Sequence, residues 1–268
     1  MCELFAVSGE HAARVRVRFA EFATHGAPRD GGNPDGWGAA YYDGLDAHLL
    51  REPIPATRSA FVHVLEDHDF HSPLVLAHVR RASQGAVGLV NTQPFAHEMA
   101  ARRHVFAHNG DMPELRAQWP LGPGCAQPIG QTDSEHAFCL LLRALTPLWT
   151  DPQRPPGVQD RFDAVAGFAR RLRDFGPANF LYSDGELLFA HAHRRRQSDG
   201  VIRPPGLHLL CRGDADSHVH QADGLQVHAH AARAHALAMV ASVPLGAGNW
   251  RALGEGEIAV LHAGRRIL

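Results

Sequence analysis

The chain has 268 residues, of which 45% are hydrophobic and 20% charged, with 26 basic and 28 acidic residues giving a formal charge of −2. That is enough chain to bury about three-quarters of its unfolded surface without disulfide staples, and it is too apolar for disorder. The near-neutral charge argues against a nucleic-acid or membrane-surface partner, which needs a basic excess, and the absence of any lysine excludes Schiff-base chemistry and lysine-bearing phosphate loops.

In chain order, residues 4–8 read as a short buried strand, and 11–24 as a helix stopped at Gly26. Residues 27–36 are rich in Pro, Gly and Asp and read as a long loop. Residues 37–42 and 48–51 flank an Asp43-Gly44 turn, a hairpin signal. Residues 59–68 read as helix, and 74–79 and 104–108 as apolar strands. The clearest helix spans 132–148. It opens on the capping box Thr132-Asp133-Ser134-Glu135 and carries Ala137, Phe138, Leu141, Leu142 and Leu145 at helical spacing. A proline-rich linker at 151–157 precedes a second amphipathic helix marked by Phe162, Val165, Phe168, Leu172 and Phe175 and stopped by Gly176-Pro177. A hairpin over Asp184-Gly185 follows, then strands at 207–210, 237–243 and 257–261. Hairpins mixed with a few long helices predict an α+β fold with antiparallel sheets.

The N-terminus lacks a basic region ahead of its brief apolar run, so no signal peptide is expected. The apolar stretches 138–142 and 234–243 fall short of the about 18 residues of a membrane span. The four cysteines, Cys2, Cys125, Cys139 and Cys211, form no CxxC pair; a reducing, cytoplasmic location is expected.

Four places carry chemistry. Cys2 becomes the first residue if the initiator Met is removed. A thiol and a free α-amine then share one residue, and the amine, with an ordinary pKa of about 7.7–8.0, can take the thiol proton. The bland alternative is a small apolar residue at a strand start. Arg80 ends an apolar strand ahead of a Gly-containing loop; it offers a bidentate fork for a carboxylate, or forms a structural ion pair. Asn109-Gly110 ends another strand and offers a side-chain amide and an unobstructed backbone N–H, the two donors of an oxyanion hole, or simply makes a turn. Asp133 sits in the first turn of the long helix, where it receives a substrate ammonium or complements the helix dipole. Together they describe attack by Cys2 on a side-chain amide of an amino acid held by its α-carboxylate and α-ammonium, which is glutamine hydrolysis.

The sequence resembles the class II glutamine amidotransferases of the N-terminal-nucleophile hydrolases, in their small single-domain YafJ-like branch. The resemblance rests on Met-Cys-Glu-Leu at 1–4, Asp-Gly-Trp-Gly-Ala-Ala-Tyr-Tyr at 35–42, Ala-His-Val-Arg at 77–80, Asn-Thr-Gln-Pro-Phe at 91–95, Phe-Ala-His-Asn-Gly at 106–110 and Thr-Asp-Ser-Glu at 132–135. Asn-Phe-Leu-Tyr-Ser-Asp-Gly at 179–185 also fits, with weaker echoes at 242–245 and 254–257. It implies a single domain over 1–268 folded as a four-layer αββα sandwich. It implies Cys2 as nucleophile and, through its amine, base, Asn109 and Gly110 as oxyanion hole, and Arg80 and Asp133 as clamps on the substrate. Ser83 falls where larger relatives carry a threonine near the substrate, and Gln84 where they often carry histidine. No cofactor or metal is called for.

Larger members of that family fuse this domain to one that consumes ammonia. Here a separate ammonia-using synthase subunit is expected, or hydrolysis itself is the purpose, including cleavage of other γ-glutamyl amides. Two rivals stand beside this: a non-catalytic glutamine-binding subunit, and a hydrolase of a different amide that has no need of Arg80 and Asp133. The HxH pairs at His218/His220 and His228/His230, with Cys211 and His235 near them, are read as a polar sheet face rather than a metal site, and Arg194-Arg195-Arg196 as a solvated run.

Overall fold

The computed structural model describes residues 2–17, 19–22, 33–67, 70–212, 219–222, 225–228 and 236–268. The expected loop at 27–36 is described only from Asn33 onward, and the expected helix stop at Gly26, together with His218, His230 and His235, lies outside the described residues.

Two antiparallel sheets are stacked between helical layers. The first has nine strands. Its main path runs from Arg251–Ala252 through His208–Arg212 and Leu237–Ala241 to β1 (Glu3–Val17), then β4 (His71–Val79), β2 (Trp37–Asp43) and β3 (Asp46–Glu52). The hairpin of Val219–Ala222 and Leu225–His228 joins the far half of β1. The second has six strands, running from Arg265–Arg266 through Ile258–His262 to β8 (Leu188–His191), β7 (Asn179–Ser183), β6 (Arg102–Asn109) and β5 (Phe95–Met99). The helices are α1 (Phe19–Phe22) and α2 (Ala60–Asp67) on the first sheet, and α3 (Leu115–Gln118), α4 (Asp133–Leu145) and α5 (Val158–Leu172) on the second.

Side chains alternate across a strand, so each buried strand feeds two cores. In β1, Leu4 and Ala6 face the second sheet, while Phe5 and Val7 join the core with α1 and α2. In β6, Val105 and Ala107 face the first sheet and Phe106 packs under α4 and α5. The layer between the sheets is rich in alanine (Ala6, Ala40, Ala107, Ala190, Ala238, Ala259), which lets two backbones approach closely. Three cores between four layers make this the four-layer αββα sandwich that the resemblance implies.

The expected hairpins, the strands and both long helices are present. The predicted helix over 11–24 is not: β1 continues to Val17 past an irregularity between Ser8 and Ala13, and only Phe19–Phe22 is helical. The alternation Arg14-Val15-Arg16-Val17, with Ala13 and Val15 buried, is a period-two pattern, and it outweighs the helical look of the surrounding alanines. Thr132 caps α4 by accepting from Glu135 N at 3.2 Å, but Glu135 does not close the box; its carboxylate accepts instead from Ile129 N and Gly130 N. Arg195 is also a correction. It is 5% exposed and ion-pairs with buried Glu3 at 2.6 Å, so it belongs to the interior and not to a solvated run. Among the described residues, no helix is long and apolar enough to cross a membrane, and no cluster of His, Cys, Asp and Glu has the arrangement of a metal site.

Candidate active site

The site forms where strand ends from both sheets meet. Glu3 pairs with Val79 in the β1–β4 register, so Cys2 falls beside the residues that follow β4. Its thiol lies 3.3 Å from Arg81 O, and Arg81 N donates to the sulfur at 3.2 Å. From the second sheet, β6 delivers Asn109, whose Nδ2 donates to the Cys2 carbonyl oxygen. Cys2 is therefore held by its thiol at the segment after β4 and by its carbonyl at the end of β6.

The anchoring of Cys2 is built into its neighbours. Leu4 N donates to Ser242 Oγ at 2.9 Å, and Ser242 N donates to Leu4 O at 3.0 Å. Arg195 reaches Glu3 and, at 2.9 Å, Ser242 O. Asn109 is held in turn by Asn179, whose Nδ2 donates to Asn109 O at 3.1 Å across the β6–β7 pair. Gly110 has no room for a side chain, because a Cβ there would collide with Pro177 O. Its N–H donates to no acceptor among the described residues.

Arg80 is 3% exposed, and its guanidinium folds the following loop around itself. Nη2 donates to Gln84 O at 2.9 Å and to Gly85 O at 3.2 Å, and Nη1 to Ala86 O at 3.4 Å. All three acceptors are neutral, and no carboxylate among the described residues makes an ion pair with it. Burial lowers its pKa from the ordinary arginine value, opposed by Cys2 and Asp35 nearby. A guanidinium still carries its charge. A buried cation beside Cys2 without an anion partner is the strongest electrostatic feature of the site.

Asp133 is likewise buried, and no cation among the described residues makes an ion pair with it. Its Oδ2 accepts from Met112 N at 2.6 Å and Gln84 Nε2 at 3.3 Å, and its Oδ1 from Ser134 N at 2.8 Å. Gln84 Nε2 also donates to Asp111 Oδ1 at 2.6 Å. One loop therefore links Arg80 to Asp133. Ser83 lies in that loop, exposed, and makes no hydrogen bond among the described residues.

Burial raises the Cys2 thiol pKa above its ordinary value; the Arg81 N–H and the Arg80 charge pull against it. Beneath the site sit two histidines that the sequence reading did not single out. His78, fully buried on β4, is pushed down to about 3 by burial and by Arg80 and His108. His108 hydrogen-bonds Ser134 Oγ at 2.9 Å and Pro177 O at 3.3 Å, and its backbone N donates to Gln93 Oε1 at 2.6 Å. Both stand inside the Ala-His-Val-Arg and Phe-Ala-His-Asn-Gly stretches, so their positions were visible but their burial was not. No single-residue signal marks Asn179, Arg195 or Ser242 as supports of Cys2.

The sequence was compared with known families and structures. The family model for class II glutamine amidotransferases matches residues 1–268. The Escherichia coli protein YafJ, assigned by name to the glutamine amidotransferases, is 29% identical over 269 residues and is covered in full, as is this chain. A crystal structure titled as a predicted glutamine amidotransferase from Pseudomonas aeruginosa aligns over 100% of both chains with a TM-score of 0.72 and 27% identity. The glutamine phosphoribosylpyrophosphate amidotransferase of Bacillus subtilis is 16% identical and shares the fold, with a TM-score of 0.59 over 99% of this chain and 48% of its own. The chain belongs to the class II glutamine amidotransferases.

Proposed function

We propose that this chain hydrolyses the side-chain amide of glutamine, or of a related γ-glutamyl compound, through a thioester on Cys2. The observation that carries this reading is the meeting of Cys2 and Asn109 beside a buried guanidinium that has no carboxylate partner.

The chemistry follows from the groups present. With Met1 removed, the Cys2 α-amine takes the thiol proton and the thiolate attacks the amide carbon. Asn109 Nδ2 has two N–H groups; one holds the Cys2 carbonyl and the other is free for the oxyanion, together with Gly110 N–H. Collapse of the tetrahedral adduct expels ammonia or an amine, which leaves with the proton held by the α-amine. Water then cleaves the thioester and releases glutamate and the thiol. Arg80 receives the α-carboxylate with the N–H groups that its loop carbonyls do not use. Asp133 receives the α-ammonium, which replaces the amide of Gln84. The ammonia either escapes or passes to a separate synthase subunit.

The test is glutamate release by the Met1-free protein from glutamine and a panel of γ-glutamyl amides. Cys2→Ala is expected to reduce the rate by about 10³-fold or more while the thermal transition stays in place. Unchanged glutamate release in that variant overturns the mechanism.

A further inference from the structure

On the far side of the second sheet from Cys2, a cavity of about 120 Å³ opens between α5 and the β8 and Ile258–His262 strands. That is below the size of a drug-sized pocket and fits a ligand of only a few heavy atoms. Phe162, Ala166 and Ala169 of the helix and Ile258 of the sheet form apolar walls. The remaining side chains lining it are Arg170, Arg173 and His191; no carboxylate lines it.

Each of the three is short of a partner or open to one. Arg170 is exposed. The Arg173 guanidinium makes no hydrogen bond or ion pair among the described residues, and it lies against Gly256, where any Cβ would collide with Nη1. Gly256 has φ +80 and belongs to the Gly-Glu-Gly-Glu stretch at 254–257, which the proposed reaction does not use. His191 is fully buried. Its Nδ1 lies 2.6 Å from Ala178 O, and a carbonyl only accepts, so the proton sits on Nδ1. Nε2 is then a bare acceptor, buried and without a partner. Burial and the Arg173 charge keep the ring neutral, with a pKa down to about 3.

Two guanidiniums call for negative charge. An unpaired acceptor beside them calls for a hydrogen that the ligand brings itself. We propose that this cavity is a second binding site, for a small anion carrying its own O–H donor: inorganic phosphate or a short hydroxy acid. Arg170 and Arg173 take the charge, His191 Nε2 accepts the O–H, and the apolar walls take any carbon body. Sulfate and acetate have the charge without the hydrogen, and a site with a buried unpaired acceptor discriminates against them.

The experiment is calorimetric titration of the intact protein with phosphate, glycolate, sulfate and acetate at matched ionic strength and neutral pH. Saturable binding of phosphate or glycolate is expected, at least about tenfold tighter than its donor-free counterpart. Which of the two binds distinguishes the two sources. Arg173→Gln is expected to weaken that binding about tenfold, and Arg170→Gln, at an exposed position on the helix surface that folding does not depend on, weakens it as well. Cys2→Ala binds undiminished. The proposal falls if none of the four anions binds saturably, if sulfate or acetate binds as tightly, or if both arginine variants bind like the parent. It also falls if Cys2→Ala abolishes binding, because the anion then occupies the site at Cys2. Since the readout is binding, it stands or fails independently of the proposed activity.

Discussion

Cys2 carries a thiol that its own burial makes reluctant to ionise, a push that the Arg81 N–H and the Arg80 charge oppose without cancelling. The base must come from close by, and His78 on β4 is a poor candidate because burial and the Arg80 charge push its pKa down to about 3. An α-amine on Cys2 itself is the remaining group of suitable pKa. An N-terminal extension that retains Met1 is therefore expected to abolish glutamate release without moving the melting temperature, with mass spectrometry confirming the intact terminus. Asn109→Ala removes one oxyanion donor, and a kcat lower by about 10²–10³ is expected from steady-state kinetics. Arg80→Gln is expected to act on binding first, raising KM for glutamine by about tenfold or more, because it removes the charge proposed to meet the α-carboxylate. At this scale the candidate positions Cys2, Arg80, Asn109 and Asp133 were legible because each residue type has a narrow chemical use, and the structure brings them to one place. The bridge from Gln84 to Asp111 and Asp133 was not, because it depends on how a loop folds around Arg80.

Among the elements, α5 and the β7–β8 hairpin show how a motif can be structural. Asp184 in the turn accepts from Glu186 N at 3.0 Å and Leu187 N at 2.9 Å through Oδ1, and pairs with buried Arg161 of α5 at 2.9 Å through Oδ2. The Asn-Phe-Leu-Tyr-Ser-Asp-Gly stretch thus pins an outer helix to the sheet that carries Asn109. Arg161→Met leaves Asp184 as a buried, unpaired charge, and a loss of about 3–5 kcal/mol is expected in urea unfolding at neutral pH. Thr132→Ala, which removes only the α4 cap, is expected to cost about 1 kcal/mol in the same assay. The misread segment after residue 10 belongs here too. Its strand character is stabilised by pairing with Val219–Ala222's partner strand Leu225–His228 and with β4, contacts far away in sequence that local propensity does not contain.

For the whole molecule, the interior holds several neutral histidines. His78 and His191 are pushed down to about 3 and His104 to about 4, each chiefly by burial. Their folded pKa values lie below the unfolded value of about 6.5, so between these limits the unfolded chain binds more protons. Stability is therefore unaffected by them above pH 7 and falls as pH drops below about 6.5. At pH 5 each costs about 2 kcal/mol relative to pH 7. Urea midpoints measured from pH 8 to pH 5 are expected to be flat and then to decline; a rise toward pH 5 contradicts the buried-neutral assignment.

What the sequence determined by itself is the chemistry on offer and the local geometry that presents it: a cysteine next to the terminus, an arginine and an Asn-Gly at strand ends, an aspartate in a capped first turn, and two amphipathic helices. These follow from side-chain type and from periods of 2.0 and 3.6 residues, which need no distant partner. Only the tertiary structure decided that the ends of β1 and β4 meet the end of β6, that Arg195 is an interior ion-pair partner of Glu3, and that Arg173 and His191 share a cavity. Each of those is a contact between residues from well-separated parts of the chain, set by how two sheets stack and exclude water, and that free energy resides in the packed assembly rather than in any one segment.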